Sequence, residues 1–145
     1  RMIRRHRLIE VFLVEVLKLD WGQIHEDAEE LEHVVSDRIL DKIDALCGYP
    51  EFDPHGDPIP AADGTYKPVR HKSLMDCPTG KQLTIQRVLD QKAKFLKFAM
   101  DSGLTPGADI QVIERNLVAE AINVLIAKDN PLSLGAKVAE KILVA

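Results

Sequence analysis

Cysteine is scarce: the 145 residues hold two, Cys47 and Cys77, too few and too far apart for a disulfide framework or a CxxC zinc site. Both are expected to be reduced. Long apolar runs are missing as well. The greasiest stretch, Leu8 to Leu17, is interrupted by Glu10 and Glu15, which excludes a membrane helix of about 18 apolar residues. Arg1, Arg4, Arg5 and Arg7 imitate the basic end of a signal peptide, but the two glutamates and the lack of a small-residue cleavage site argue against one. A cytoplasmic location is the expectation. A basic surplus is also absent: 19 Lys and Arg face 23 Asp and Glu, a formal charge of -4. Net charge alone therefore does not hold this chain on DNA. What is present, 46% hydrophobic and 29% charged residues, is ordinary globular composition, enough for one domain or two small ones. The chain opens at Arg1 in what reads as the middle of a helix, so a preceding segment is expected.

Residues 3 to 17 set Ile3, Ile9, Leu13, Val16 and Leu17 on one helical face with Phe12 beside it. Asp20 and Gln23 form a capping-box pattern that opens a second helix from Trp21 to about Val35. Ser36 caps a third, roughly Asp37 to Leu46, stopped by Gly48 and Pro50. From Pro50 to Pro68 the chain carries five of its eight prolines and two of its glycines, which predicts a turn-rich linker and a domain boundary. Beyond it, Leu83 to Val88, Asp109 to Arg115, Ala121 to Ala127 and Ile142 to Val144 read as short strands. A helix from about Gln91 to Ser102 ends at Gly103, and Thr105-Pro106-Gly107 and Asp129-Asn130-Pro131 read as turns. The expected class is α+β: three helices over residues 1–50, a Pro/Gly-rich linker over 51–75, and a small SH3-like β-barrel over 76–145.

Four of the five histidines precede Gly56. On the second helix, Trp21, Ile24, Ala28, Leu31 and Val35 form an apolar stripe, and His25, Glu29, Glu32 and His33 form a polar stripe beside it. Residues three and four apart have Cβ atoms about 5–6 Å apart, so Glu29, Glu32 and His33 can bring two carboxylates and an imidazole to one point. Such a donor set suits manganese, iron(II), cobalt or zinc better than copper(I). The alternative is a solvated acidic face, since nine carboxylates and two basic residues occur between Asp20 and Asp44. His6 and Glu10 are likewise compatible with a simple helical pair.

Other chemistries fit less well. His25-Glu26 begins like an HExxH zinc helix, but Glu29 stands where the second histidine belongs. Glu30 and His33 resemble half of a di-iron carboxylate motif, without the second ExxH that a di-iron or metal-storage protein needs. GxSxG, P-loop and GxGxxG stretches are absent, and a binding protein is expected, not an enzyme.

Three stretches carry a resemblance: Arg5-His6-Arg7-Leu8-Ile9-Glu10, then the run from His25 through Ala28, Glu29, Leu31, Glu32, His33 and Val34 to Ser36, then Pro54-His55-Gly56-Asp57-Pro58-Ile59-Pro60. In order and spacing they resemble the diphtheria toxin repressor family of iron- and manganese-dependent transcriptional repressors. The C-terminal half resembles the SH3-like, FeoA-type domain of the longer members, most clearly at Gly103-Leu104 and Pro106-Gly107. The resemblance implies a metal-binding and dimerisation domain that follows an N-terminal winged helix-turn-helix domain, which is not in this sequence. It implies Glu29, Glu32 and His33 as the primary metal site and His6, Glu10 and His25 as an ancillary one. Glu29 stands where iron-responsive members have cysteine and manganese-responsive members have glutamate, which favours Mn2+ over Fe2+, with Co2+, Ni2+ or Zn2+ as substitutes.

In iron-type members the SH3-like domain adds ancillary ligands, but the matching positions here are Thr84 and Arg87, and a guanidinium cannot coordinate a cation. Some manganese-type members draw ligands from the linker, where Asp53 and His55 match. His71 and Cys77 match no ligand position and are expected to be structural. The resemblance also implies a homodimer that meets operator DNA only through the N-terminal domain. Apolar surface on the first and third helices, at Leu8, Phe12, Ile39, Ile43 and Leu46, points the same way.

Overall fold

The computed structural model describes residues 2–66 and 71–145. Arg1 and residues 67–70, with the Pro68 end of the expected linker, lie outside the described residues. The chain divides into two units, Arg1–Pro68 and Val69–Ala145.

In the first unit, helix α1 (Met2–Glu15) buries Leu8, Ile9, Glu10, Val11 and Leu13. The expected stripe does not run its full length, because Ile3, Val16 and Leu17 are exposed. Past its end, the N–H groups of Val16 and Leu17 both donate back to Phe12 O, and Lys18 turns the chain with φ 60.

Helix α2 (His25–Glu32) is shorter than the periodicity predicts. Asp20 does not cap it: the Asp20 side chain accepts from Gly22 N at 2.7 Å, and Gln23 N donates to Asp20 O. The polar pattern thus closes a turn before the helix, whose N-cap Ile24 has no side-chain cap bond. The apolar stripe survives, with Trp21, Ile24 and Ala28 buried.

Helix α3 (Asp37–Leu46) begins as expected, Ser36 accepting from Ile39 N at 3.2 Å. Arg5 joins α2 to α3 by donating to the carbonyls of Glu32 and Val35 and to Asp37. Of the residues expected to remain for a partner, Leu8 and Ile43 are already buried in the chain, and Ile39 and Leu46 stay exposed. The core comprises Leu8, Ile9, Leu13, Ile24, Ala28 and Leu40, and Ile59 of the proline-rich stretch packs against it.

The second unit is one antiparallel six-stranded sheet, ordered β1-β6-β2-β3-β4-β5. Its strands are β1 (Lys72–Ser73), β2 (Gln82–Val88), β3 (Asp109–Asn116), β4 (Ala121–Ile126), β5 (Asn130–Gly135) and β6 (Ile142–Val144), with helices α4 (Ala93–Ser102) and α5 (Ala136–Glu140). Period-2 alternation buries Leu83 and Ile85, Ile110 and Val112, and Ile122, Val124 and Ile126. Register shifts at Ile85/Arg87 and Val112/Glu114 bend the sheet.

The expected turn at Asp129 to Pro131 lies earlier. Ala127 and Lys128 take left-handed φ of 52 and 74, and Asn130 already pairs with Ile126. Pro131 is tolerated because β5 is an edge strand. Gly103, at φ 79, ends α4 as expected, though that helix starts at Ala93, after Gln91.

Candidate metal centre

Glu10 lies on the apolar side of α1, flanked by Leu8, Ile9, Val11 and Leu13, and is 2% exposed. A carboxylate is rarely buried so fully without partners of opposite character. One helical turn earlier, His6 brings Nε2 to 3.4 Å from Glu10 Oε2, and its Nδ1 stands 3.3 Å from Glu32 Oε1 on α2. His25, the first residue of α2, packs edge-on against His6 with ring centroids 5.1 Å apart. Candidate ligand atoms of His6, Glu10 and His25 lie within 4.8 Å of one another.

A second group shares the same glutamate. Ligand atoms of Glu10, Asp53 and His55 also lie within 4.8 Å of one another, and all three residues are buried. The loop that presents Asp53 and His55 is tied by its own backbone: Asp53 Oδ1 accepts from His55 N and Asp57 N, each at 2.9 Å. Asp53 N donates to Asp57 O, and Gly56 N to Asp53 O, with Gly56 at φ 88 where a Cβ would be strained. Arg7 reaches from α1 to donate to Pro58 O. These bonds occupy Oδ1 and leave Oδ2 of Asp53 facing His55 Nδ1 at 4.0 Å, the same distance that separates Nδ1 from Glu10 Oε2. On its other edge, His55 donates from Nε2 to Trp21 O at 2.9 Å, and the two rings stack.

The electrostatics describe a site made for positive charge. Burial, then the close approach and charge of Glu10 and the charge of Asp57, push the Asp53 carboxyl up to about 9. Burial also acts to raise Glu10, but the hydrogen bond with His6, the neighbouring Asp53 and the charge of the nearby imidazoles outweigh it and hold Glu10 below its usual range. The hydrogen bond to Glu10 raises His6, against its partial burial. Asp53 Oδ2 and His55 Nδ1 are buried without a hydrogen-bond partner. Orphaned polar groups of this kind cost about 1–3 kcal/mol each. The oxygen and imidazole donors, two with unused lone pairs in a dry setting, fit a divalent cation.

The residues singled out by spacing are distributed differently. Glu29, Glu32 and His33 form no such group among the described residues. Helix α2 stops at Glu32 and His33 is its C-cap, exposed, so the polar stripe turns away after Glu32. Glu32 faces His6, and Glu29 stands 3.8 Å from His25 with both side chains largely in solvent. In the second unit, Thr84 and Arg87 lie on β2, His71 is held below its ordinary range by burial and the charge of Arg87, and Cys77 is a buried free thiol. Spacing did not expose the double use of Glu10 or the Trp21 carbonyl. An acid inside the otherwise apolar run from Leu8 to Leu13 was the signal for the first.

Residues 1–61 match the family model of the iron dependent repressor metal binding and dimerisation domain, and residues 72–145 match that of the FeoA domain. The chain is 27% identical over 123 residues to the iron-dependent repressor IdeR of Mycobacterium leprae, a match covering 77% of this chain and 54% of the relative. It thus spans about half the length of that relative. A manganese-dependent transcriptional repressor in complex with manganese superposes with TM-score 0.93 at 40% identity, over 99% of this chain and 69% of that one. The repressor ScaR with bound Zn2+ superposes with TM-score 0.81 at 33% identity, over 99% and 70%. A helical unit gathering imidazoles and carboxylates, followed by an SH3-like FeoA domain, is the architecture of this class of metal-dependent regulator. The chain belongs to the diphtheria toxin repressor family of metal-dependent transcriptional repressors.

Proposed function

We propose that this chain is the metal-sensing and dimerisation part of a Mn2+- or Fe2+-dependent repressor controlling metal homeostasis in the cytoplasm. Manganese is the preferred ion, and Co2+, Ni2+ and Zn2+ are competent substitutes. The observation that carries the reading is the buried Glu10 shared by two donor groups, one of which holds the orphaned Asp53 Oδ2 and His55 Nδ1. The proposed ligands are Glu29, Glu32 and His33 for the activating site, and His6, Glu10 and His25 with Asp53 and His55 for the ancillary one.

Bound there, a divalent cation supplies the positive charge that these carboxylates lack. Asp53 and His6 would hold it in their deprotonated forms together with Glu10, His25 and His55, which would order α1, the start of α2 and the Asp53 loop around one charge. This ordering of three segments sets the geometry of a homodimer, to which Ile39 and Leu46 of α3 offer exposed apolar surface. Operator DNA is met through an N-terminal winged helix-turn-helix domain, and the role is binding without catalysis. The proposed organisation is a helical domain over 1–50, a following segment that contributes Asp53 and His55, and the FeoA-type domain, which takes in β1 and so begins by Lys72 rather than at 76.

Calorimetric titration with Mn2+ tests the ligand assignment. Glu32→Ala and His33→Ala should each weaken binding at one site, and His55→Ala at the other. Parent-like affinity in all three variants would sink the reading.

A further inference from the structure

We infer that Trp21 is a positioning residue that presents Nδ1 of His55 to the divalent cation. The inference rests on the metal reading above and extends it to a residue that is not itself a ligand.

A backbone carbonyl can only accept. With Trp21 O 2.9 Å from His55 Nε2, the neutral imidazole carries its proton on Nε2 and leaves the lone pair on Nδ1. Neither carboxylate competes for that choice, because Glu10 Oε2 and Asp53 Oδ2 stand 4.0 Å from Nδ1, beyond hydrogen-bond reach. Nδ1 is the atom left buried and unpartnered. The tautomer is therefore set from the far side of the ring.

Trp21 also fixes the ring plane. Its indole lies against the imidazole with centroids 5.2 Å apart and 29° between planes. Trp21 is 4% exposed, so the stacking surface is held by the core, and its carbonyl is held by the turn closed between Asp20, Gly22 and Gln23. One residue thus grips the imidazole on a face and at an edge, and the backbone of His55 is pinned separately by Asp53 Oδ1. The carbonyl is common to any residue at position 21, whereas the stacking face belongs to the tryptophan side chain. Outer partners of metal-bound histidines typically change affinity by about 10–100-fold when removed.

The test uses the 15N-labelled full chain, free of metal, near pH 8, where an ordinary imidazole is neutral. Long-range proton–nitrogen correlations report the tautomer, with the His55 ring assigned by its loss in His55→Gln. Paramagnetic broadening of the Gly56 amide reports Mn2+ affinity in every variant. Expected are an Nε2–H tautomer in the parent and in both variants, since each keeps the backbone carbonyl, with Mn2+ affinity within about 3-fold of the parent in Trp21→Phe, which keeps a stacking ring, and about 10-fold weaker in Trp21→Ala, which loses it. An Nδ1–H tautomer in the parent overturns the inference, and so does Trp21→Ala with Mn2+ affinity unchanged. Should Trp21→Ala not fold, the parent tautomer and the Trp21→Phe affinity still decide. Parent-like Mn2+ binding in His55→Gln defeats the metal reading at this group and the inference with it. Loss of binding there, beside no effect at Trp21, defeats only the positioning role.

Discussion

The two units bury different things. Among the described residues, the buried polar and charged side chains are Glu10, Glu32, Asp53, His55 and Asp57, all in the first unit, and the second unit buries apolar side chains and one thiol. The second unit follows ordinary core logic, in which alternating strands exclude water from one face. The first unit departs from it at one place, and that place is where the proposed ligand groups meet. Buried carboxylates disfavour a metal-free fold, so their concentration in one unit makes that unit the place where a cation would change stability most.

The largest effect expected from this contrast is at Glu10. Glu10→Ala should weaken Mn2+ binding at the ancillary site by about 100-fold, since it removes a donor common to both groups, while Thr84→Ala in the second unit leaves calorimetric affinity unchanged. Equal losses in both variants would break the contrast.

The next effect is on the pH dependence of the metal-free protein. Because the Asp53 carboxyl is raised to about 9, the stability tied to its proton is full below its unfolded value and lost as pH rises toward 9. The parent should therefore melt progressively lower between about pH 4 and pH 9. Asp53→Asn should flatten this trend, raise the metal-free melting temperature by about 5 °C at pH 8, and reduce the stabilisation by Mn2+ to what the other site supplies. A parent profile that rises over the same range would contradict the assignment.

The smallest effect belongs to the surface of the second unit. Lys97 and Asp101 form an exposed i,i+4 pair at 3.0 Å, so Lys97→Ala should change stability by less than about 0.5 kcal/mol with no change in Mn2+ affinity. A shift of several degrees in thermal melting would show that this surface does more than face solvent.

What the sequence made legible was local. Ser36 capped α3 because the hydroxyl and the Ile39 N–H it accepts from are three residues apart, and β2, β3 and β4 were visible because half-buried strands alternate. Strand β5 was hidden because Asn130-Pro131 reads as a turn unless the strand is known to be at an edge, a fact of tertiary order. Helix α2 began late because Asp20 gave its side chain to Gly22. The site divided in the same way. His6 with Glu10 and His25 with Glu29 were evident as helical neighbours, but their meeting depends on the packing of α1 against α2. Asp53 and His55 came into view through family resemblance and not through spacing. The Trp21 carbonyl had no sequence signature, since any residue offers one.

Pro131 has a consequence for how the second unit behaves in a crowd. An open sheet margin invites a foreign strand to zip onto it, the first step toward runaway polymerisation, and β5 is such a margin. A proline there brings no N–H for the newcomer to bond and wedges its ring into the approach. The residue that disguised the strand in the sequence thus also makes its free rim a poor template, so that the unit can carry a bare edge and remain singly folded.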